Sequence, residues 1–181
     1  PRLTHRYENR AILHLSSICA VYCRFCFRKS HLNDDEKTLY DGNLDAAFKY
    51  LGETPGVREL ILTGGDPLSL TDAALARVLD RLEEIARAQG SLKVVRIHSR
   101  MAVTLPSRLT PELAGILGRK RDFRVHLVSH FNHPREWTPA AREGLAAFRA
   151  QGITLLNQNV LLRGINDSTD CLAELYQGLY E

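Results

Sequence analysis

Cys19-Ala20-Val21-Tyr22-Cys23-Arg24-Phe25-Cys26 carries three of the four cysteines of the chain within eight residues, in a C-x3-C-x2-C pattern. Residues 11–16 (Ala-Ile-Leu-His-Leu-Ser), just before it, are a short apolar run fit for a buried strand that feeds straight into this loop. Thiolates bind soft metals and iron–sulfur clusters, and three of them this close in sequence can wrap only a single centre. A closed structural site normally uses four protein ligands, so a trio leaves one coordination position for something that is not protein. The competing readings are a structural zinc site or a buried apolar trio. Cys171, far away on a helical stretch, reads as a packing residue.

Outward from the loop, strand and helix patterns alternate. A polar loop is expected over residues 29–37. Leu44, Ala47, Phe48 and Leu51 then repeat at helical spacing, and that helix ends near residues 52–56. Residues 59–63 form the second expected strand and run into Gly64-Gly65-Asp66-Pro67. Thr71 caps a helix with Asp72 in its first turn and Leu75, Val78, Leu79, Leu82 and Ile85 on its apolar face. The third strand is expected over residues 94–99, followed by a helix opened by Thr110-Pro111-Glu112. The fourth covers 124–130, followed by a helix that starts at Thr138-Pro139, buries Leu145 and Phe148, and ends at Gly152. The fifth covers 153–162, before a last helix capped by Asn166-Asp167-Ser168 and carrying Leu172, Leu175 and Leu179.

Five β-then-α units predict an α/β fold: a parallel sheet with right-handed crossovers and helices on at least one face, either open and doubly wound or part of a barrel. No linker rich in Pro, Gly or Ser interrupts the pattern, so residues 1–181 read as one domain. The residues closing the strands are polar: Ser16 and Ser17; residues 63–66; His98-Ser99-Arg100; Ser129-His130; Asn157-Gln158-Asn159. All lie at carboxyl ends, where such folds keep their active sites, on the same edge as the cysteine loop. Each has a plainer reading. Gly64-Gly65-Asp66 reads either as a strand-to-helix turn with a capping aspartate or as a backbone edge open to a close ligand. Arg24, Arg28 and Lys29 read as a solvated basic patch or as partners for an anionic cluster and a carboxylate. His130 and His133 read as site residues or as satisfied core or surface histidines.

Composition narrows the classes. With 181 residues, 44% hydrophobic and 25% charged, the chain can build one core. A net charge of +3 with mixed signs argues against a nucleic-acid binder, and no apolar run approaches the roughly 18 residues that span a membrane. No charged-then-apolar leader opens the chain, so the expected setting is the reducing cytoplasm, where a cysteine cluster reads as a metal site and not a disulfide framework. The start at Pro1 without a methionine and the stop at Glu181 within a helical pattern suggest a piece of a longer protein.

Taken together, the cysteine loop after the first strand and the glycine-rich GGD after the second resemble the radical S-adenosylmethionine superfamily. The match is closer still to the lysine 2,3-aminomutase family, including the branch that acts beside elongation factor P. It is carried by His5-Arg6-Tyr7 with Arg10, CAVYCRFCFRK, LTGGDPL, HSR around Ser99, HFNHP from His130 and LLNQNVLLRGIND from Leu155. The resemblance implies a partial (β/α) barrel whose sixth unit lies beyond Glu181. It implies a [4Fe–4S] cluster on Cys19, Cys23 and Cys26, with S-adenosylmethionine chelating the fourth iron. Gly64, Gly65 and Asp66 would meet its amino group, Arg28 its carboxylate and Phe25 its adenine, with Ser99, His130 and Gln158 completing the pocket. Arg6, Tyr7 and Arg10 match positions that border pyridoxal phosphate.

The implied reaction is 2,3-amino migration on lysine, driven by a 5′-deoxyadenosyl radical and assisted by pyridoxal phosphate. An electron donor such as flavodoxin or ferredoxin is implied as partner, with neither nucleic acid nor membrane, and a homo-oligomer is left open. The family's Schiff-base lysine and its substrate-binding acids fall beyond Glu181, so no residue here is assigned as catalytic. Two other readings stand beside this one: a related enzyme acting on another amino acid such as glutamate or arginine, and a non-catalytic iron–sulfur electron-transfer module.

Overall fold

The computed structural model describes residues 2–29 and 44–181. Apart from Lys29, the polar loop expected at 29–37 lies outside the described residues. In chain order the elements are β1 (Leu3–Tyr7), β2 (Arg10–Ser16), α1 (Asp45–Gly52), β3 (Glu59–Gly64), α2 (Asp72–Gln89), β4 (Val94–Ser99), α3 (Pro111–Gly118), β5 (Arg124–Ser129), α4 (Pro139–Ala150), β6 (Thr154–Asn157) and α5 (Thr169–Tyr180). The helices begin where local chemistry dictates. Thr71, Thr110, Thr138 and Ser168 each accept a bond from the backbone N–H three residues on, at 3.2, 3.2, 3.3 and 3.3 Å.

The sheet has the order β1-β2-β3-β4-β5-β6, parallel from β2 to β6. It is an open sheet among the described residues, with β1 and β6 as its edges. Two expectations are corrected. A sixth strand, β1, precedes the five and pairs antiparallel with β2 through a tight hairpin. The strand expected over 153–162 stops at Asn157, because Gln158 and the residues after it are bonded to the β5 loop, as described below.

Alternation along the strands separates two faces. Leu60 and Leu62 of β3, Val95 and Ile97 of β4, and Val125 and Leu127 of β5 are buried under the helices, in one continuous core with Leu75, Leu79, Leu82, Leu113 and Phe148. α1 packs on α2, α2 on α3 and α3 on α4, so this face is closed by a layer of helices. The opposite positions are half-buried and largely polar: Glu59 and Thr63, Arg96 and His98, His126. A parallel sheet is normally apolar on both faces, so the polar face marks the side where function is built.

Candidate functional site

The cysteine loop leaves β2 at Ser16 and is fastened at once to the turn after β3. Ser16 Oγ lies 2.9 Å from Ser69 Oγ and accepts the Ile18 N–H at 3.0 Å. The Gly65 N–H donates to the Ser16 carbonyl, and the Asp66 N–H to the Ile18 carbonyl at 2.8 Å. This approach needs glycine: a Cβ on Gly65 would lie 2.5 Å from the Ile18 carbonyl oxygen and 2.6 Å from the Ser17 carbonyl carbon. Gly64 beside it has φ +120°, open to glycine alone. The GGD segment is thus the surface on which the cysteine loop is seated.

Asp66 itself turns inward. It is 7% exposed, accepts the Leu68 N–H at 3.0 Å and the Arg100 N–H at 2.8 Å, and receives the Ser99 hydroxyl. Burial raises its pKa and these bonds oppose the rise. Ser99 is also buried and accepts the Met101 N–H at 3.0 Å, at the start of the short helical turn Met101–Thr104. Both residues therefore organise the edge from within.

The three thiols are half-buried and free. Burial, then the charges of Asp66, Cys23 and Cys26, push Cys19 up to about 11. Such a thiol is protonated near pH 7, and a bound metal centre favours its thiolate. Among the described residues, no three His, Cys, Asp or Glu side chains are gathered in ligand geometry around one point. What the loop provides is the soft donor set itself, three mutually sensed thiols on one short segment.

Cationic and amide groups line the same edge, and Arg100 reaches a thiol. Arg28 Nη1 lies 3.0 Å from His14 Nδ1, and His14 Nε2 lies 3.1 Å from Thr4 Oγ1 on β1. Burial and the Arg28 charge hold His14 down at about 4. Arg100 Nη1 donates to Cys23 Sγ at 3.1 Å, its Nη2 to Glu136 Oε1 at 2.7 Å, and its guanidinium carbon sits 5.0 Å from the Phe25 ring centre. Gln158 Oε1 lies 3.0 Å from His98 Nδ1, and Gln158 also bonds His130. Burial lowers both histidines, His98 to about 4.

Several buried donors here have no protein partner: Arg28 Nε, Arg100 Nε and Asn132 Nδ2. Native interiors rarely leave such groups unsatisfied, and donors aimed into one polar edge fit a ligand rich in carboxylate and hydroxyl oxygens.

Asparagines hold the loops of this edge in place. Asn157 brackets Phe131, accepting its N–H at 2.9 Å and donating to its carbonyl at 3.1 Å. Asn132 Oδ1 accepts the Val160 N–H at 2.8 Å, and fully buried Asn166 donates to the carbonyls of Asn132 and Val160 at 2.7 and 2.9 Å. The Asn-Gln-Asn stretch thereby divides its labour: Asn157 is structural, Gln158 faces the histidines, and Asn159 meets the Tyr176 hydroxyl at 3.2 Å.

The structure thus brings Cys19, Cys23, Cys26, Phe25, Arg28, Gly64, Gly65, Asp66, Ser99, His130 and Gln158 to one edge. Arg6, Tyr7 and Arg10 lie at the other, since Tyr7 pairs with Arg10 at the amino end of β2, a strand of roughly 20 Å from the cysteine loop. Arg10 Nε bonds Glu59 Oε2 at 2.6 Å, and Glu59 also pairs with Arg96. A cleft of about 460 Å³ opens beside them, lined by Asn9, Arg58, Glu59, Arg96 and His126. Sequence reasoning missed His14, Glu136, Asn132 and Asn166 as members of the carboxyl edge, and gave Arg100 no partner. A histidine inside the apolar run 11–16 was the one available signal. His133 caps the turn Pro134–Glu136, accepting the Arg135 N–H at 3.1 Å, and is thereby accounted for.

Comparison with known proteins identifies the family. The sequence pattern of the Radical SAM superfamily matches residues 13–175. The chain is 39% identical over 179 residues to an L-lysine 2,3-aminomutase of Fusobacterium nucleatum, covering 99% of this chain and 41% of that protein. It is 38% identical over 179 residues to one from Clostridium subterminale, with 99% and 42% covered. It is 39% identical over 181 residues to one from Escherichia coli K12, with 100% and 51% covered. The chain spans about half the length of these relatives or less.

Proposed function

The chain belongs to the radical SAM superfamily, and from that premise we propose that it is the core of a lysine 2,3-aminomutase-type isomerase. It holds a [4Fe–4S] cluster on Cys19, Cys23 and Cys26 and S-adenosylmethionine beside it, with pyridoxal phosphate as second cofactor, in the cytoplasm. The observation that carries this reading is the seating of the three-cysteine loop on Gly65 and Asp66 at the polar edge of the sheet. Lysine as substrate rests on the names of the relatives and belongs to the full-length protein.

When bound, the reduced cluster supplies the electron that cleaves S-adenosylmethionine to a 5′-deoxyadenosyl radical, and pyridoxal phosphate carries the migrating amino group. The chain's own residues bind and place. Cys19, Cys23 and Cys26 lose their protons to become ligands. Arg28, whose Nε has no protein partner, offers a fork to a carboxylate. The His14 ring beside Arg28 stays neutral near pH 7, so it accepts from the guanidinium without adding charge. Gln158, held between two neutral histidines, presents a fixed amide to the pocket. Asp66 orders the turn that would meet the ligand's amino group, and Phe25 would give an apolar surface beside the cysteines. Arg6, Tyr7 and Arg10 supply cationic and phenolic donors suited to a phosphate at the far end.

The test is turnover by the full-length protein, reconstituted anaerobically with iron and sulfide and given S-adenosylmethionine, pyridoxal phosphate, reductant and lysine. β-Lysine is the expected product. Turnover of glutamate or arginine but not lysine would refute the substrate, and a cluster that is reduced without cleaving S-adenosylmethionine would leave an electron-transfer module.

A further inference from the structure

Among the described residues, Arg100 is the side chain that hydrogen-bonds the sulfur of a site cysteine, and it is held at its root and at both Nη atoms. Its backbone N–H donates to Asp66 Oδ2 at 2.8 Å, which fixes the root of the arm at the end of β4. The guanidinium then lies over Phe25, two residues from Cys23, and forks: one Nη to Cys23 Sγ at 3.1 Å, the other to Glu136 Oε1 at 2.7 Å. Glu136 is fixed in turn, its Oε2 accepting the Asn132 N–H at 2.6 Å, and Asn132 is 2% exposed. The Arg100 and Glu136 side chains are 18% and 21% exposed, so water screens the pair only in part.

A planar fork suits this double duty. An ammonium is a point charge that would choose one of the two partners, whereas a guanidinium offers parallel donors in fixed relation. A hydrogen bond and a positive charge at a ligating sulfur stabilise the more negative, reduced state of a cluster, and so raise its reduction potential. Glu136 opposes that charge while holding the guanidinium in position.

We propose that Arg100 is a positioning residue which, aimed by Glu136, holds Cys23 and raises the reduction potential of the cluster bound there. This rests on the cluster reading above. Arg100 and Glu136 then act on the electron step through Cys23, and their balance sets how readily the cluster is reduced before it acts on its ligand.

The test is a redox titration of the reconstituted full-length protein followed by electron paramagnetic resonance, with iron and sulfide content measured alongside. Arg100→Met is expected to shift the potential to a more negative value. Arg100→Lys, which keeps the charge and loses the fork, shifts it less in the same direction. Glu136→Gln, which keeps an acceptor for the Asn132 N–H and removes the opposing charge, shifts it to a less negative value. Opposite shifts from the two ends of one ion pair are what a purely structural brace would not produce. Iron content equal to the parent with an unchanged potential in Arg100→Met would overturn the proposal, as would shifts of one sign in Arg100→Met and Glu136→Gln. If Arg100→Met assembles no cluster, Arg100→Lys and Glu136→Gln decide by the same signs. A parent protein that binds no iron would overturn the cluster reading itself, an outcome read before any variant is compared.

Discussion

At the carboxyl end of the sheet, side chains from loops distant in sequence are bonded to one another and buried; at the amino end, polar side chains meet in ion pairs that water reaches. Asp66, Asn132 and Asn166 are all under a tenth exposed, with side chains bonded to backbone groups of other loops. Arg10, by contrast, pairs with Glu59 while its side chain is 44% exposed. Buried bonds between fixed backbone roots define a geometry, because each unmade bond costs about 1–3 kcal/mol. Exposed pairs define little, since their contribution is typically below about 1 kcal/mol. The carboxyl end is therefore preorganised for a ligand of demanding geometry, and the amino end is charged without being held rigidly.

The comparison breaks most visibly at Gly65. In Gly65→Ala the new methyl group meets the Ile18 and Ser17 backbone at 2.5 and 2.6 Å, so the cysteine loop must lift from its seat. Reconstitution should then incorporate only a small fraction of the parent's iron while the far-ultraviolet circular dichroism is unchanged. Full iron content would show that the seat does not position the loop. Asn166→Ala comes next. It leaves the carbonyls of Asn132 and Val160 and the Leu162 N–H without partners, and urea unfolding should report a loss of about 3 kcal/mol. A change within experimental error would mean that these loops are held by something else.

Much of the fold could be read from sequence because its signals are local. Caps at Thr71, Thr110 and Thr138, the first-turn prolines Pro111 and Pro139, and apolar stripes such as Leu75 to Ile85 depend on neighbours within a turn or two. β1 escaped notice because its residues, Leu-Thr-His-Arg-Tyr, lie on an exposed edge and lack the alternation of a half-buried strand. Residues 153–162 looked like one long strand, since apolar content alone does not reveal that Asn157 is occupied by Phe131. The ligating cysteines stood out by spacing, but Arg100 and Glu136 did not. Their relation to Cys23 spans 77 and 113 residues of chain and exists only after folding.

Acid sharpens the contrast between the two ends. His14 is held at about 4 in the folded protein and returns to 6.5 on unfolding. The unfolded chain therefore takes up the proton first as pH falls, and stability present above about pH 6.5 is lost toward pH 4. With a discount for partial solvent contact, the loss assigned to His14 is on the order of 2 kcal/mol. Melting of parent and His14→Gln at about pH 7.5 and about pH 5 should show a smaller acid-induced drop in the variant. An equal drop would place the acid sensitivity elsewhere, with His98, also held at about 4, the next residue to replace. The smallest effect belongs to the amino end. Arg10→Gln should cost less than about 1 kcal/mol in urea unfolding, since that side chain is 44% exposed and Glu59 keeps Arg96, and should leave iron content at the parent value. A loss of iron in that variant would join two ends that the structure keeps apart.

The radical chemistry proposed for the loop from Cys19 to Cys26 is read out by 5′-deoxyadenosine from the reconstituted full-length protein, reduced in the presence of S-adenosylmethionine. 5′-Deoxyadenosine is expected from the parent and from Cys171→Ala, and none from Cys23→Ala, which should also lack the cluster. No 5′-deoxyadenosine from a parent that carries its cluster, or an undiminished yield from Cys23→Ala, would contradict that proposal.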